Sequence, residues 1–157
     1  MHNTHIDLPL DARQKVIDIL NQRLVDAIDL GIQAKMAHWN VRGKHFIGLH
    51  ELFDKVAETA EENADDLAER IGQLGGVVRG TVQEVVKTTS LGVFDSGISK
   101  DVDIIGMLTQ ALATLANKAR KDIDTTSDLG DQATSDLLTD VVRDTDKNLW
   151  FVEAHLQ

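Results

Sequence analysis

Most of the chemistry this chain offers lies between His50 and Glu69. The side chains concerned are His50, Asp54, Glu58, Glu61, Asp65 and Glu69. On a helix turning by ~100° per residue, with Asp54 at zero, they fall at about −40°, 0°, 40°, −20°, 20° and 60°. They therefore occupy one stripe, roughly 100° wide. Lys55 is the only basic residue between His50 and Glu69. Like charges one turn apart repel, so such a stripe is stabilised by a cation placed on it. A mixed imidazole and carboxylate set suits iron, manganese or zinc. It argues against calcium, which takes oxygen ligands alone. Periodicity by itself leaves a solvated acidic face equally open.

The spacing constrains how a metal could be held. His50 and Asp54 are one turn apart, as are Asp65 and Glu69. The midpoints of the two pairs are separated by about 22 Å along the helix, so one ion cannot use both pairs of one helix. Two copies packed antiparallel about a two-fold axis near residue 60 would bring the first pair of one chain to the second pair of the other. Ala57, Ala64 and Ala68 flank the stripe and would allow two backbones to approach closely. Glu58 and Glu61 would fall between the two sites, where further ions could bind.

The elements that must position these residues read as helices. Val16, Leu20, Leu24, Ala27, Ile28 and Gly31 recur at helical intervals over about 11–40, with Asp11 as expected N-cap. His38 and Trp39 fall near the end of this helix; taken alone, His38 reads as a hydrogen-bonded, partly buried histidine. A break over 40–48 turns at Gly43 and contains His45, read as an exposed loop residue. The second helix spans about 46–74, with Leu49, Leu52, Phe53, Val56, Ala60, Leu67, Ile71 and Leu74 as its core face, and Gly75 and Gly76 as its stop. Residues 77–99 form a long connection. Within it TVQEVV reads as a short strand or extended segment, and FDSG as a short helix. The connection is long enough to return along the whole of a ~42 Å helix. A third helix is expected over 100–126, capped within SKDVD, and a fourth over 132–155 after the turn SDLGD. The fold class is all-α: a four-helix bundle with one long crossover between its second and third long helices.

At 157 residues the chain is read as one domain, preceded by a flexible arm over 1–10. His2, His5 and Asp7 in that arm could bind a metal, but a frayed terminus is the simpler reading. The chain has one proline, no cysteine and no tyrosine. That excludes disulfides and thiolate metal sites, and suits helices better than sheets. No apolar run of membrane-spanning length and no signal-peptide pattern occurs, so a cytoplasmic location is expected. The net charge of −10 disfavours phosphate-backbone binding and favours cation handling, with plain solubility the equally open alternative.

The stretch AHWNVRG, then HFIGLHELFD, DDLAER and QLGG, with RDTDKNLWFVEAHL near the end, resembles the Dps family, the miniferritins of the ferritin-like superfamily. The resemblance covers nearly the whole chain. It implies a four-helix subunit with a short helix in the crossover, assembled as a hollow dodecamer. It also implies an activity: ferroxidase oxidation of Fe(II), typically by hydrogen peroxide, with Fe(III) mineral stored inside. Position by position it implies His38, His50 and Asp54 as metal ligands from one subunit, with Asp65 and Glu69 from its two-fold mate. Trp39 matches the tryptophan beside the site, a sink for oxidising equivalents. Glu58 and Glu61 are candidate mineral-nucleation residues, and Zn(II) could occupy the same site. The lysine-rich arm of DNA-binding members has no counterpart, since residues 1–12 contain no Lys or Arg, so DNA compaction is not expected. The absence of any E-x-x-H argues against the within-subunit di-iron site of larger ferritins. Asp128, Asp131 and Asp136 are candidates for an iron entry route, with helix capping as the alternative.

Overall fold

The computed structural model describes all 157 residues. Four long helices form the bundle: α1 (Leu10–Asn40), α2 (Phe46–Gln73), α4 (Asp101–Asp128) and α5 (Gln132–Glu153). A short α3 (Val82–Thr88) rides in the crossover, and a 3-10 turn (Ala154–Leu156) closes the chain. No strand is present. Core faces follow the helical period. Val16, Leu20, Leu24 and Ala27 of α1 are buried against Leu49, Phe53, Val56, Ala60, Leu67 and Ile71 of α2. Ile104, Leu108, Leu112 and Leu115 of α4, with Leu138 and Val141 of α5, complete the same core. Each valine, leucine, isoleucine or phenylalanine among them contributes about 1.5–3 kcal/mol through removal from water.

Helix ends follow local chemistry, with some departures from expectation. α1 starts one residue early, with Pro9 at the N-cap and Asp11 inside the first turn. Proline fixes a φ compatible with helix entry, and the acid favours the positive end of the helix dipole. α4 begins after Lys100 without a side-chain cap, so the SKDVD cap is not formed. Asp101 and Asp103 still supply charge to the first turn. α2 ends as expected at its glycine pair. Gly75 has φ +80°, Gly76 N–H donates to the Ile71 carbonyl at 2.8 Å, and Gly75 N–H to that of Gly72 at 2.9 Å. A Cβ on Gly76 would lie 2.7 Å from Ile71 Cγ2 and 2.9 Å from Ile17 Cγ2, so a larger residue there must displace these two core side chains.

The crossover differs most from its sequence reading. TVQEVV is helical and FDSG is a turn. Thr81 and Glu84 form a reciprocal capping box, which starts α3 despite the β-branched residues that follow. Polar side chains along α1 hold the whole segment. Asn21 binds the Val77 carbonyl and the Arg79 N–H, Gln22 the Thr88 carbonyl, and Gln33 the Gly92 carbonyl. Asp26 accepts from the Ser90 N–H and hydroxyl, and Asp29 from the Thr89 hydroxyl. At its end, Arg42 N–H donates to the Ser99 carbonyl at 2.9 Å. The crossover therefore runs the length of the bundle and delivers α4 beside the start of α2.

The first nine residues have no regular structure. They lie against the opposite end of the bundle: His2 N–H donates to the Gly75 carbonyl at 2.7 Å, and Ile6 and Leu8 pack on the core.

Candidate metal half-site

Two of the predicted site residues, His38 and His50, meet where the end of α1 passes the start of α2. The rings of His38 and His50 stack with centroids 3.6 Å apart and 21° between planes. Each histidine bonds the other's backbone: His38 Nδ1 to the His50 carbonyl at 2.7 Å, and His50 Nδ1 to the His38 carbonyl at 2.8 Å. A carbonyl only accepts, so both Nδ1 atoms carry the proton. In the neutral imidazole the bare nitrogen is then Nε2 on both rings, ready to donate a lone pair to a metal. The reciprocal bonds also serve the backbone. His38 lies in the last turn of α1, where carbonyls have no partner within the helix, and His50 supplies one.

Asp54 stands one turn beyond His50, part-exposed. The Lys35 ammonium of α1 binds its Oδ1. That hydrogen bond, together with the positive fields of Lys35, His38 and His50, holds the Asp54 carboxyl below its ordinary range. The stripe was expected to lack a neutralising cation, and at Asp54 this is corrected: Lys35 approaches from the neighbouring helix. The only sequence signal was positional. Lys35 precedes His38 by three residues and Trp39 by four, so the three share one strip of α1.

Asp65 and Glu69 lie farther along α2, both exposed, as are Glu58 and Glu61. Within one chain, no three His, Asp or Glu side chains come together in a way that could hold a metal. Two adjoining depressions between α1 and α2 nevertheless extend from Lys35, the partner of Asp54, to Asp65. A depression of about 330 Å³ is lined by Lys35, Trp39, Ile32, Ala57, Glu61 and Ala64, among others. It merges with a second of about 760 Å³ that shares Ile28, Glu61 and Ala64 and reaches Asp65 and Ala68. Trp39 and Ile32 remain 65% and 49% exposed there, which is unusual for large apolar groups on one groove.

Other candidates take different roles. Asp131 is 2% exposed. It caps α5 by accepting from Thr134 N–H and Oγ1, and it pairs with Arg70 at 2.8 Å. Its oxygens are committed to the α4–α5 turn, so the capping alternative holds for this residue; Asp128 and Asp136 stay exposed. His45 is the N-cap position of α2 and is exposed.

Comparison with known proteins agrees with this architecture. The Ferritin family model, a ferritin-like domain, matches residues 17–157. The DNA protection during starvation protein of Agrobacterium fabrum is 43% identical over 99% of this chain and 96% of its own length. The protein of that name from Mycolicibacterium smegmatis is 35% identical over 90% of this chain and 77% of its own length. Among solved structures, DpsC from Streptomyces coelicolor superposes with a TM-score of 0.95 at 31% identity, covering 99% of this chain and 91% of that one. An archaeal Dps homologue from Halobacterium salinarum gives 0.94 at 28% identity, over 99% and 87%. On its fold and these matches, the chain belongs to the Dps family of ferritin-like proteins.

Proposed function

We propose that this protein is a ferroxidase and iron store whose site is shared by two copies of the chain. His38, His50 and Asp54 of one subunit would hold Fe(II) together with Asp65 and Glu69 of a two-fold mate. The carrying observation is the pair of stacked imidazoles, each with Nδ1 fixed on a carbonyl and Nε2 left bare, one helical turn from Asp54. A related Dps structure, from Vibrio cholerae, is described as a member of a superfamily of ferritin-like diiron-carboxylate proteins. That description is consistent with iron as the substrate here.

In the reaction, two ferrous ions give one electron each to hydrogen peroxide, the preferred oxidant in this reading. The O–O bond breaks, and with two protons the products are two waters and two ferric ions. Carboxylate oxygens are hard ligands and suit the ferric product. Hydrolysis of the ferric ions then yields an oxide mineral and releases protons. Glu58 and Glu61, exposed between the two half-sites of each helix, are suited to seed it. Trp39 stands at the groove beside Lys35, where it could intercept a stray one-electron oxidant. A hollow shell of twelve subunits would hold the mineral. At −10 per chain it would carry about −120 and attract Fe(II). Removing iron and peroxide together limits hydroxyl radical, so DNA would be protected chemically without being coated, in a cytoplasmic setting. No helix is long and apolar enough to cross a membrane.

The experiment is anaerobic Fe(II) loading followed by peroxide, on size-fractionated protein. His50→Ala with Asp54→Ala should slow oxidation at least about tenfold, the loss that outer-shell partners alone produce in such sites, while the assembly elutes unchanged. Wild-type rates in that variant would remove these residues from the site. Zinc analysis with no peroxide consumption would instead favour a zinc-sequestering shell.

A further inference from the structure

Lys35 is not a metal ligand, yet it holds the carboxylate that the half-site needs. It projects from the same strip of α1 as His38 and Trp39, and its Nζ bonds Asp54 Oδ1. Beside it, His38 stacks on His50. The four side chains thus form two cross-helix pairs, one ionic and one aromatic. The ionic pair is open to water, with side-chain exposures of 42% for Lys35 and 37% for Asp54. Open pairs of this kind are weakly held and exchange readily. A divalent cation on Asp54 would share that carboxylate with an ammonium, and like charges that close repel. The lysine stem is flexible, and the groove lined by Lys35, Trp39 and Glu61 offers it a second carboxylate when it leaves the first.

We infer that Lys35 is a tethered counter-ion that an incoming divalent metal must displace from Asp54, so that it sets the metal concentration at which the half-site loads. The inference rests on the shared-site reading above. It assigns Lys35 a positioning role: it acts on metal through Asp54. With no metal present, the lysine keeps the Asp54 charge neutralised without any ion. At high metal it yields, because a dication bound by two imidazoles and several carboxylates outcompetes one solvated ammonium.

The test is calorimetric titration with Zn(II) alone, which binds such ligands without redox chemistry, on the full-length assembled protein. Lys35→Gln removes the charge, and Lys35→Met removes it while keeping an apolar stem in the groove. Both should bind Zn(II) about tenfold more tightly than wild type, an order set by one nearby charge in a half-exposed site. Lys35→Arg should bind more weakly than wild type, because a guanidinium grips a carboxylate through two parallel hydrogen bonds. Equal or weaker binding by the neutral variants would overturn the inference. Should the neutral variants fail to assemble, equal or tighter binding by Lys35→Arg would overturn it. His50→Ala separates the two readings. If it binds Zn(II) as tightly as wild type, the shared metal site itself is wrong. If it loses binding while the Lys35 variants match wild type, only the role of Lys35 falls.

Discussion

Two charged clusters lie on α1, about 18 Å apart along its axis, and they have opposite chemical states. The inner one joins Arg23 to Asp26 at 3.0 Å and to Asp122 of α4 at 3.0 Å. Asp26 is wholly buried, and its oxygens are taken by Arg23, Gln22 and the Ser90 N–H and hydroxyl. The outer one joins Lys35 to Asp54 and stacks His38 on His50. It keeps two bare Nε2 atoms, and it opens on a groove. Charge alone does not mark a functional site: spare valence does. A cluster whose charges are paired with one another in the interior fastens helices, whereas one with bare lone pairs beside open water has something left to bind. The Arg70–Asp131 pair belongs with the first kind.

The largest effect that would break this contrast is at Asp26. Asp26→Ala leaves Arg23 buried without its main partner and frees the Ser90 donors, which should cost about 3–5 kcal/mol. Thermal or denaturant unfolding would measure it, and Zn(II) affinity of the folded protein should stay unchanged. Asp131→Ala should cost less, about 2 kcal/mol, combining a lost N-cap with an unpaired Arg70. Its Fe(II) oxidation rate should match wild type; a slowed rate would return Asp131 to the iron entry route.

Asp122 sharpens the contrast at smaller scale. Burial first, and Asp26 beside it, push its carboxyl above the ordinary range, and Arg23 only partly offsets this. Arg23 Nε lies within 3.0 Å of Asp122 Oδ2, but neither atom gains a well-aligned hydrogen bond. The native state therefore holds this proton more tightly than the unfolded chain does. The stabilisation is complete below the ordinary carboxyl value and is lost as pH rises through the raised one. Asp122→Asn should remove that pH dependence and lie within about 1 kcal/mol of wild type at neutral pH, in contrast to Asp26→Ala. A drop as large as that of Asp26→Ala would make Asp122 an equal partner. The smallest change expected is at Glu84. Its carboxyl is held low by the Thr81 N–H and hydroxyl, so the capping box is complete above the ordinary carboxyl range and is lost as pH falls through the lowered value. Glu84→Ala should speed amide exchange in α3 without moving global unfolding.

These differences also explain what was legible beforehand. The four long helices show in the sequence because burial imposes a 3.6 period, and Leu49, Phe53, Val56 and Ile71 obey it. The pairs His50/Asp54 and Asp65/Glu69 show because one-turn spacing is a local property. Lys35–Asp54 does not show, since two residues nineteen apart meet only after α1 and α2 pack. The ladder from Asn21 to Gln33 reads as an ordinary polar face until the crossover is laid on it. α3 was misplaced because its valines suggest a strand, whereas the T-x-x-E at Thr81–Glu84 carries the stronger local signal. Asp131 resembled the other acids of its turn, and only the depth of Arg70 and Thr134 around it sets its role.

The central claim is that each site is built by two chains, and subunit mixing tests it most directly. One variant carries His50→Ala and Asp54→Ala, the other Asp65→Ala and Glu69→Ala. Each alone should lack fast Fe(II) oxidation. In a mixed pair one site loses both halves and the other keeps both. Random co-assembly should therefore recover about a quarter of the wild-type sites, as half the pairs are mixed and each restores one of two. Recovery at that level is the predicted result. No recovery, with co-assembly verified by mass, would place the ligands within one chain and contradict the account.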